Sequence, residues 1–300
     1  MAYSWTLEEL LKSAYKADKV DPNLRFKNQP SLGGCTGFLI APNIMVTAGH
    51  CISGDQHEIR DGKVVFHKSY NDKPENMKFG EKYWVVDYTN DIRMTRKTQE
   101  GKGYYVATIP TSKQYGVKKV LIGILDRARG LDYAVILLDR ETDRAPFRFR
   151  TGAKIAKGDN LAMIGAPAGL PLKLADGAKV TMNSAGTWFG TNIDAFGGNS
   201  GGPVYNTAGL NMIEGILVRG RVDKGAKGYY VDSTCSCVKE VRYDNVDAES
   251  IYDDLGYAPS TMSTEVQRIT SMPLSIKALA VYNNLEYAIR KNNAKRYNAW

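Results

Sequence analysis

From about residue 35 to residue 232 the chain is a succession of short runs rich in Val, Ile, Tyr and Phe, broken by Gly, Pro, Asn and Asp. The runs include GFLIAPNIMVTA, KVVFH, YWVVD, GYYVATI, KKVLIGIL, DYAVILL, NLAMIGAP, AKVTMN and MIEGILV. Many short strands separated by turn residues predict an antiparallel sandwich or barrel, a mainly β fold. Helical periodicity is confined to the ends. Thr6 and Glu9 have the spacing of a capping box, and Leu7, Leu10, Leu11, Ala14 and Tyr15 recur every three or four residues, so a helix is expected on the outside of the main body. After residue 240 the period returns, with Leu274, Ala278, Val281, Leu285 and Ile289 on one face of a closing helix. Its RKNNAKR end puts positive charge at the helix C-terminus, where the dipole favours it.

The stretch FGGNSGGPVYN, residues 196–206, packs four glycines around Ser200. A serine that attacks a carbonyl needs backbone N–H groups aimed at the developing oxyanion and little side-chain crowding, and glycines supply both. Such a serine also needs a base. The chain has three histidines, His50, His57 and His67. His57 and His67 read as exposed residues in polar or strand surroundings, whereas His50 ends the hairpin GFLIAPNIMVTAGHC, where a tight Ala-Gly segment can hold an imidazole at a strand end. The imidazole in turn needs a carboxylate to fix its tautomer. Asp132 heads the apolar run DYAVILL, where a carboxylate is costly unless it has a partner; Asp139, at the other end of that run, reads as a surface turn residue. The candidates are therefore His50, Asp132 and Ser200, with the amides of Gly198 and Ser200 as oxyanion donors and Gly201 and Gly202 keeping the approach open.

With VTAGHC, LDYAVILL and GNSGGP in this order, the chain resembles the chymotrypsin-like, or trypsin-like, serine peptidases over roughly residues 30–240. FKNQPSLGGCTGFLIAPN, MIGAPAGLPLK and EGILVRG make it most similar to the secreted bacterial branch that includes glutamyl endopeptidases. The resemblance implies two packed six-stranded antiparallel barrels with the triad between them. It divides the chain into an N-terminal helical arm (1–29), a first barrel carrying His50 and Asp132 (30–145), a second carrying Ser200 (146–240) and a C-terminal helical extension (241–300). It also implies a Cys35–Cys51 disulfide beside the histidine, the other reading being two buried thiols. Asp194, Leu217 and Gly220 fall at substrate-binding positions. Asp194, six residues before Ser200, stands where trypsin-like members carry a pocket carboxylate, which implies cleavage after Arg or Lys. Arg219 or Arg221 could instead occupy Asp194 internally. Leu217 replaces the histidine of glutamyl endopeptidases, which points away from acidic specificity. Asn199 replaces the aspartate that receives a new N-terminal amine in the animal enzymes, so no zymogen ion pair is expected.

Cys235 and Cys237 stand too close for an easy bridge and lack further ligands for a metal, so their role stays open. The acidic stretch 244–254 lacks the spacing of a calcium loop. No cofactor or metal is expected. With 43% apolar residues the chain can bury a core, and its charge of +8 is scattered among 32 acids rather than gathered into a stripe. That distribution argues against nucleic acid as a partner, and the absence of a long apolar stretch argues against a membrane. A protein or peptide substrate and a monomer are expected. The N-terminus lacks the layout of a signal peptide, so the implied disulfide favours a secreted or periplasmic mature form and a cytoplasmic location is the alternative.

Overall fold

A computed structural model describes residues 2–52, 57–60, 63–66, 83–89, 93–99, 102–126, 128–208, 211–220, 228–240 and 264–297. His67, Arg221 and the acidic stretch 244–254 lie outside these residues, and His57 lies in the strand His57–Arg60. The fold is mainly β, as expected. Among the described residues its first half is a half-barrel, an antiparallel sheet with the order Gly37–Ala41, Ile44–Thr47, Leu131–Leu138, Gln114–Asp126, Lys63–Phe66, His57–Arg60; Tyr83–Val85 also pairs with the long strand Gln114–Asp126. The second half is a closed barrel with the cyclic order Asn160–Gly165, Lys173–Met182, Trp188–Thr191, Thr264–Arg268, Ile213–Arg219, Pro203–Asn206.

Strand Leu131–Leu138 shows why its sequence is apolar throughout. Successive side chains point to opposite faces. Tyr133 and Val135 enter a cluster with Phe38, Ile40, Ile213 and Ile216, while Ala134, Ile136 and Leu138 enter another with Leu39, Met45 and Tyr115. Both faces are buried, so no polar alternation survives. The barrel interior is filled by Leu161, Met163, Val180, Phe189, Val204, Leu217 and Val266.

Three features differ from the sequence reading. The barrel closes through Thr264–Arg268, which pairs with both Trp188–Thr191 and Ile213–Arg219, so the second β unit draws a strand from beyond residue 240. Residues 2–6 form a strand, paired with Lys102–Thr108 and Pro30–Ser31, ahead of helix α1 (Leu7–Tyr15). Helix α2 (Leu274–Tyr297) docks by Ile276, Lys277, Ala280 and Asn284, with the Asn284 amide donating to the Ile40 carbonyl at 2.8 Å, whereas Leu274, Ala278, Val281, Leu285 and Ile289 face outward. The apolar stripe marks a real face of the helix, but the smaller Ala280 face is the one that fits close to the sheet.

Candidate active site

Register brings Asp132 to His50. Thr47 pairs with Ala134 and Val46 with Val135, antiparallel, so the chain leaving Thr47 runs back alongside Tyr133 and Asp132. It turns there in a short helical turn, Gly49–Cys51, with His50 at its centre. One Asp132 carboxylate oxygen accepts the His50 backbone N–H at 3.0 Å, and the other lies 2.8 Å from His50 Nδ1. An ionised carboxylate only accepts, so Nδ1 carries the proton and Nε2 presents its lone pair. Asp132 is 2% exposed, and its own backbone N–H donates to Gln267 Oε1 at 3.0 Å. Gln267 sits in the closing strand and donates through Nε2 to the Thr187 carbonyl at 2.7 Å. A strand of the barrel therefore holds the backbone of Asp132 in the other half.

Ser200 lies in the loop between Trp188–Thr191 and Pro203–Asn206, and this loop is tied to both halves. The Gly201 N–H donates to the Leu217 carbonyl and the Leu217 N–H to the Gly202 carbonyl, at 2.7 and 2.9 Å. The Thr36 N–H donates to the Ser200 carbonyl at 2.7 Å. Thr36 Oγ1 donates to the Gly198 carbonyl at 2.7 Å and accepts the Ala166 N–H at 3.0 Å. Gly198 and Gly201 have φ values of +99° and +88°, which L side chains rarely adopt, and a Cβ on Gly201 would strike the Thr36 carbonyl and Thr47 Oγ1. Among the described residues neither the Gly198 nor the Ser200 amide donates a hydrogen bond. Asn199 is buried; its Oδ1 has no hydrogen-bond partner and packs against Gly165.

The Cys35–Cys51 disulfide is present, joining the segment before Thr36 to the turn that holds His50. Cys235 and Cys237, whose pairing the sequence left open, are also bridged, with Cα atoms 5.1 Å apart and Ser236 between them at φ +49°. The left-handed residue folds the tripeptide back on itself, which the short spacing did not suggest.

Two cavities meet at His50 and Arg219. One, of about 680 Å³, runs past Asp132, Arg129, Trp188 and Glu265. The other, of about 690 Å³, holds Ser200 and Gly198 at one end and is walled by Phe196, Leu217, Gly220 and Tyr229. Burial, reinforced by the Glu240 carboxylate, pushes the Tyr229 phenol above its ordinary value, so this wall is neutral. Leu217 and Gly220 line this cavity, and Asp194, which is half-buried, is not among its lining residues. Arg219 pairs with Glu265 at 2.5 Å. Sequence reasoning missed three contributors. Thr36 and Gln267 act through hydrogen bonds that no local pattern announces, and α1 lines the cavity at Ser200 with Leu10, Leu11, Ala14 and Tyr15.

A 38-residue stretch is 47% identical to an extracellular metalloprotease of Bacillus subtilis (strain 168), a match spanning 13% of this chain and 12% of that protein's length. Among solved structures, a Glu endopeptidase bound to MPD is similar at 18% identity and a TM-score of 0.40, covering 68% of this chain and 82% of that one. An inactive form of Rv3671c from M. tuberculosis H37Rv is similar at 13% identity and a TM-score of 0.36, covering 63% and 71%. The trypsin-like peptidase domain matches residues 35–210, a span that takes in His50, Asp132 and Ser200 and exceeds half of the 300 residues, so the chain belongs to that family.

Proposed function

We propose that the protein is a serine endopeptidase that cleaves peptide or protein substrates through an acyl-enzyme on Ser200. The observation that carries this reading is the doubly anchored imidazole: Asp132 accepts both the backbone N–H and Nδ1 of His50, which leaves Nε2 as base in the cavity that Ser200 shares. Nε2 takes the Ser200 Oγ proton as Oγ bonds to the scissile carbonyl carbon. The carbonyl oxygen gains the negative charge within reach of the Gly198 and Ser200 amides. The C–N bond then breaks, and His50 passes its proton to the departing amine. Water, deprotonated by the same nitrogen, releases the acid product and restores Ser200.

Cleavage after Arg or Lys is not carried into this reading, since the carboxylate it relied on does not line the cavity. The Bacillus relative is named a metalloprotease. Among the described residues the one candidate ligand group is Cys35, His50 and Cys51, whose sulfurs are joined and whose imidazole holds Asp132. Two disulfides suit an oxidising compartment, and the reading places the enzyme outside the cytosol. A fluorophosphonate probe tests it. The native chain is expected to be labelled at Ser200, with His50→Ala slowing labelling at least a hundredfold; equal labelling of that variant or of the heat-denatured chain refutes the triad.

A further inference from the structure

The cavity beside Ser200 has one wall that the β halves do not supply. Leu10 and Ala14 of α1 line it, four residues apart and so on one face of the helix. The same apolar face is anchored to the body: Leu7 and Leu11 are 0% and 3% exposed, in a cluster with Leu170, Tyr229 and Val238. Thr6 and Glu9 form a complete capping box, and the Leu7 and Glu8 amides donate to the Gln29 and Lys27 carbonyls at 3.1 and 2.9 Å. At its C-terminal end the Tyr15 hydroxyl donates to the Tyr229 carbonyl at 2.8 Å. Across the cavity the Phe196 ring packs on Tyr229 at 5.3 Å between centroids, and it is hemmed in by Gly228, where a Cβ would overlap it. The helix is thus fastened to the same residues that wall the space next to the serine.

The wall chemistry defines what can enter. Among the described residues no Asp or Glu lines this cavity, and its one guanidinium, Arg219, is matched by Glu265. A charged side chain entering would lose its hydration without gaining a counter-charge. A volume of about 690 Å³ is far more than a small side chain fills. Resting on the reading of Ser200 as nucleophile, we infer that α1 is a specificity wall: Leu10 and Ala14, facing Phe196 and Tyr229, select substrates with a bulky apolar residue before the scissile bond.

The test uses Ser200→Ala full-length chain, so that binding is read without turnover, and acetylated tetrapeptides differing only in their last residue, titrated by calorimetry. The Phe peptide is expected to bind more tightly than the Ala, Arg and Glu peptides. Ala14→Trp, at an exposed position that tolerates a larger side chain, fills the cavity and is expected to lower the Phe-to-Ala affinity ratio about tenfold. Leu10→Ala enlarges the space and is expected to shift preference from Phe towards Trp. Tightest binding of the Arg or Glu peptide, no binding of any peptide, or a Phe-to-Ala ratio within twofold of the parent in both variants overturns the inference. Labelling of the Ser200 chain by the fluorophosphonate is scored separately, so a failed wall and a failed peptidase give different results.

Discussion

The two halves of the molecule obtain their order in different ways. In the barrel every strand has two neighbours and no edge is left. Among the described residues, the sheet that carries His50 and Asp132 runs from Gly37–Ala41 at one side to His57–Arg60 at the other without closing. Open edges are free to breathe, yet the hydrogen bonds of 2.8 and 3.0 Å between His50 and Asp132 require both backbones to be held in place. The contrast teaches where the precision comes from. At the site, the open half is clamped to the closed one: Thr36 spans the Gly198 carbonyl and the Ala166 amide, and Gln267 holds the Asp132 amide. The barrel acts as the reference frame, and at the site these hydrogen bonds add to the core that Tyr133 and Val135 share with Ile213 and Ile216.

This contrast can be broken most severely by opening the barrel. A chain ended after residue 240 lacks Thr264–Arg268, leaving two strands with unpaired edges and removing the Asp132 partner. Loss of the whole folding free energy, on the order of 5–15 kcal/mol, is expected, with no cooperative melt in calorimetry and no probe labelling. Next comes the seam itself. Gly201→Ala, forced into positive φ against the Thr36 carbonyl and Thr47 Oγ1, is expected to cost about 4 kcal/mol or more in urea unfolding. Replacing Cys35 and Cys51 by serine frees a loop with a sequence separation of 16 and is expected to cost about 3 kcal/mol by the same measurement. Thr36→Val keeps the shape but leaves the buried Ala166 amide without its acceptor. A loss of about 2 kcal/mol is expected, together with slower labelling of Ser200. The smallest effect belongs to Cys235 and Cys237, whose bridge spans a separation of 2: changing both to alanine is expected to cost under about 2 kcal/mol and to leave the labelling rate within a factor of two. If the last pair proved more damaging than the first, the clamp at the seam would not be the main source of order.

What the sequence disclosed follows the range over which each signal acts. His50, Asp132 and Ser200 sit in local patterns, a tight turn, an apolar strand and a glycine cluster, and these are read residue by residue. Capping of α1 by Thr6 and Glu9 is equally local and appears as expected. The strand Thr264–Arg268 was invisible because its sequence, TEVQR, looks like solvent-facing chain although all five residues are buried. Its polar groups are satisfied one by one: Glu265 by Arg219, Gln267 by Asp132 and Thr187, Arg268 by Asn183 and Ala185. Hydropathy cannot register burial that hydrogen bonding makes affordable. For α2 the error runs the other way, since its large apolar side chains face out while Lys277 reaches the Thr270 carbonyl at 2.7 Å. For Asp194, counting back from Ser200 gives a position along the chain, and chain position alone does not say which side chains line the cavity.

The Gln267 contact has a consequence for biosynthesis. A ribosome makes His50, Asp132 and Ser200 well before it makes the strand that holds the Asp132 amide and shuts the barrel. All three residues are therefore present on a nascent chain whose Asp132 amide still lacks its Gln267 acceptor. On the proposed reading, closing of the barrel and completion of this contact are a single late event, so the growing polypeptide, and any neighbour emerging beside it, would be spared cutting until the fold has closed.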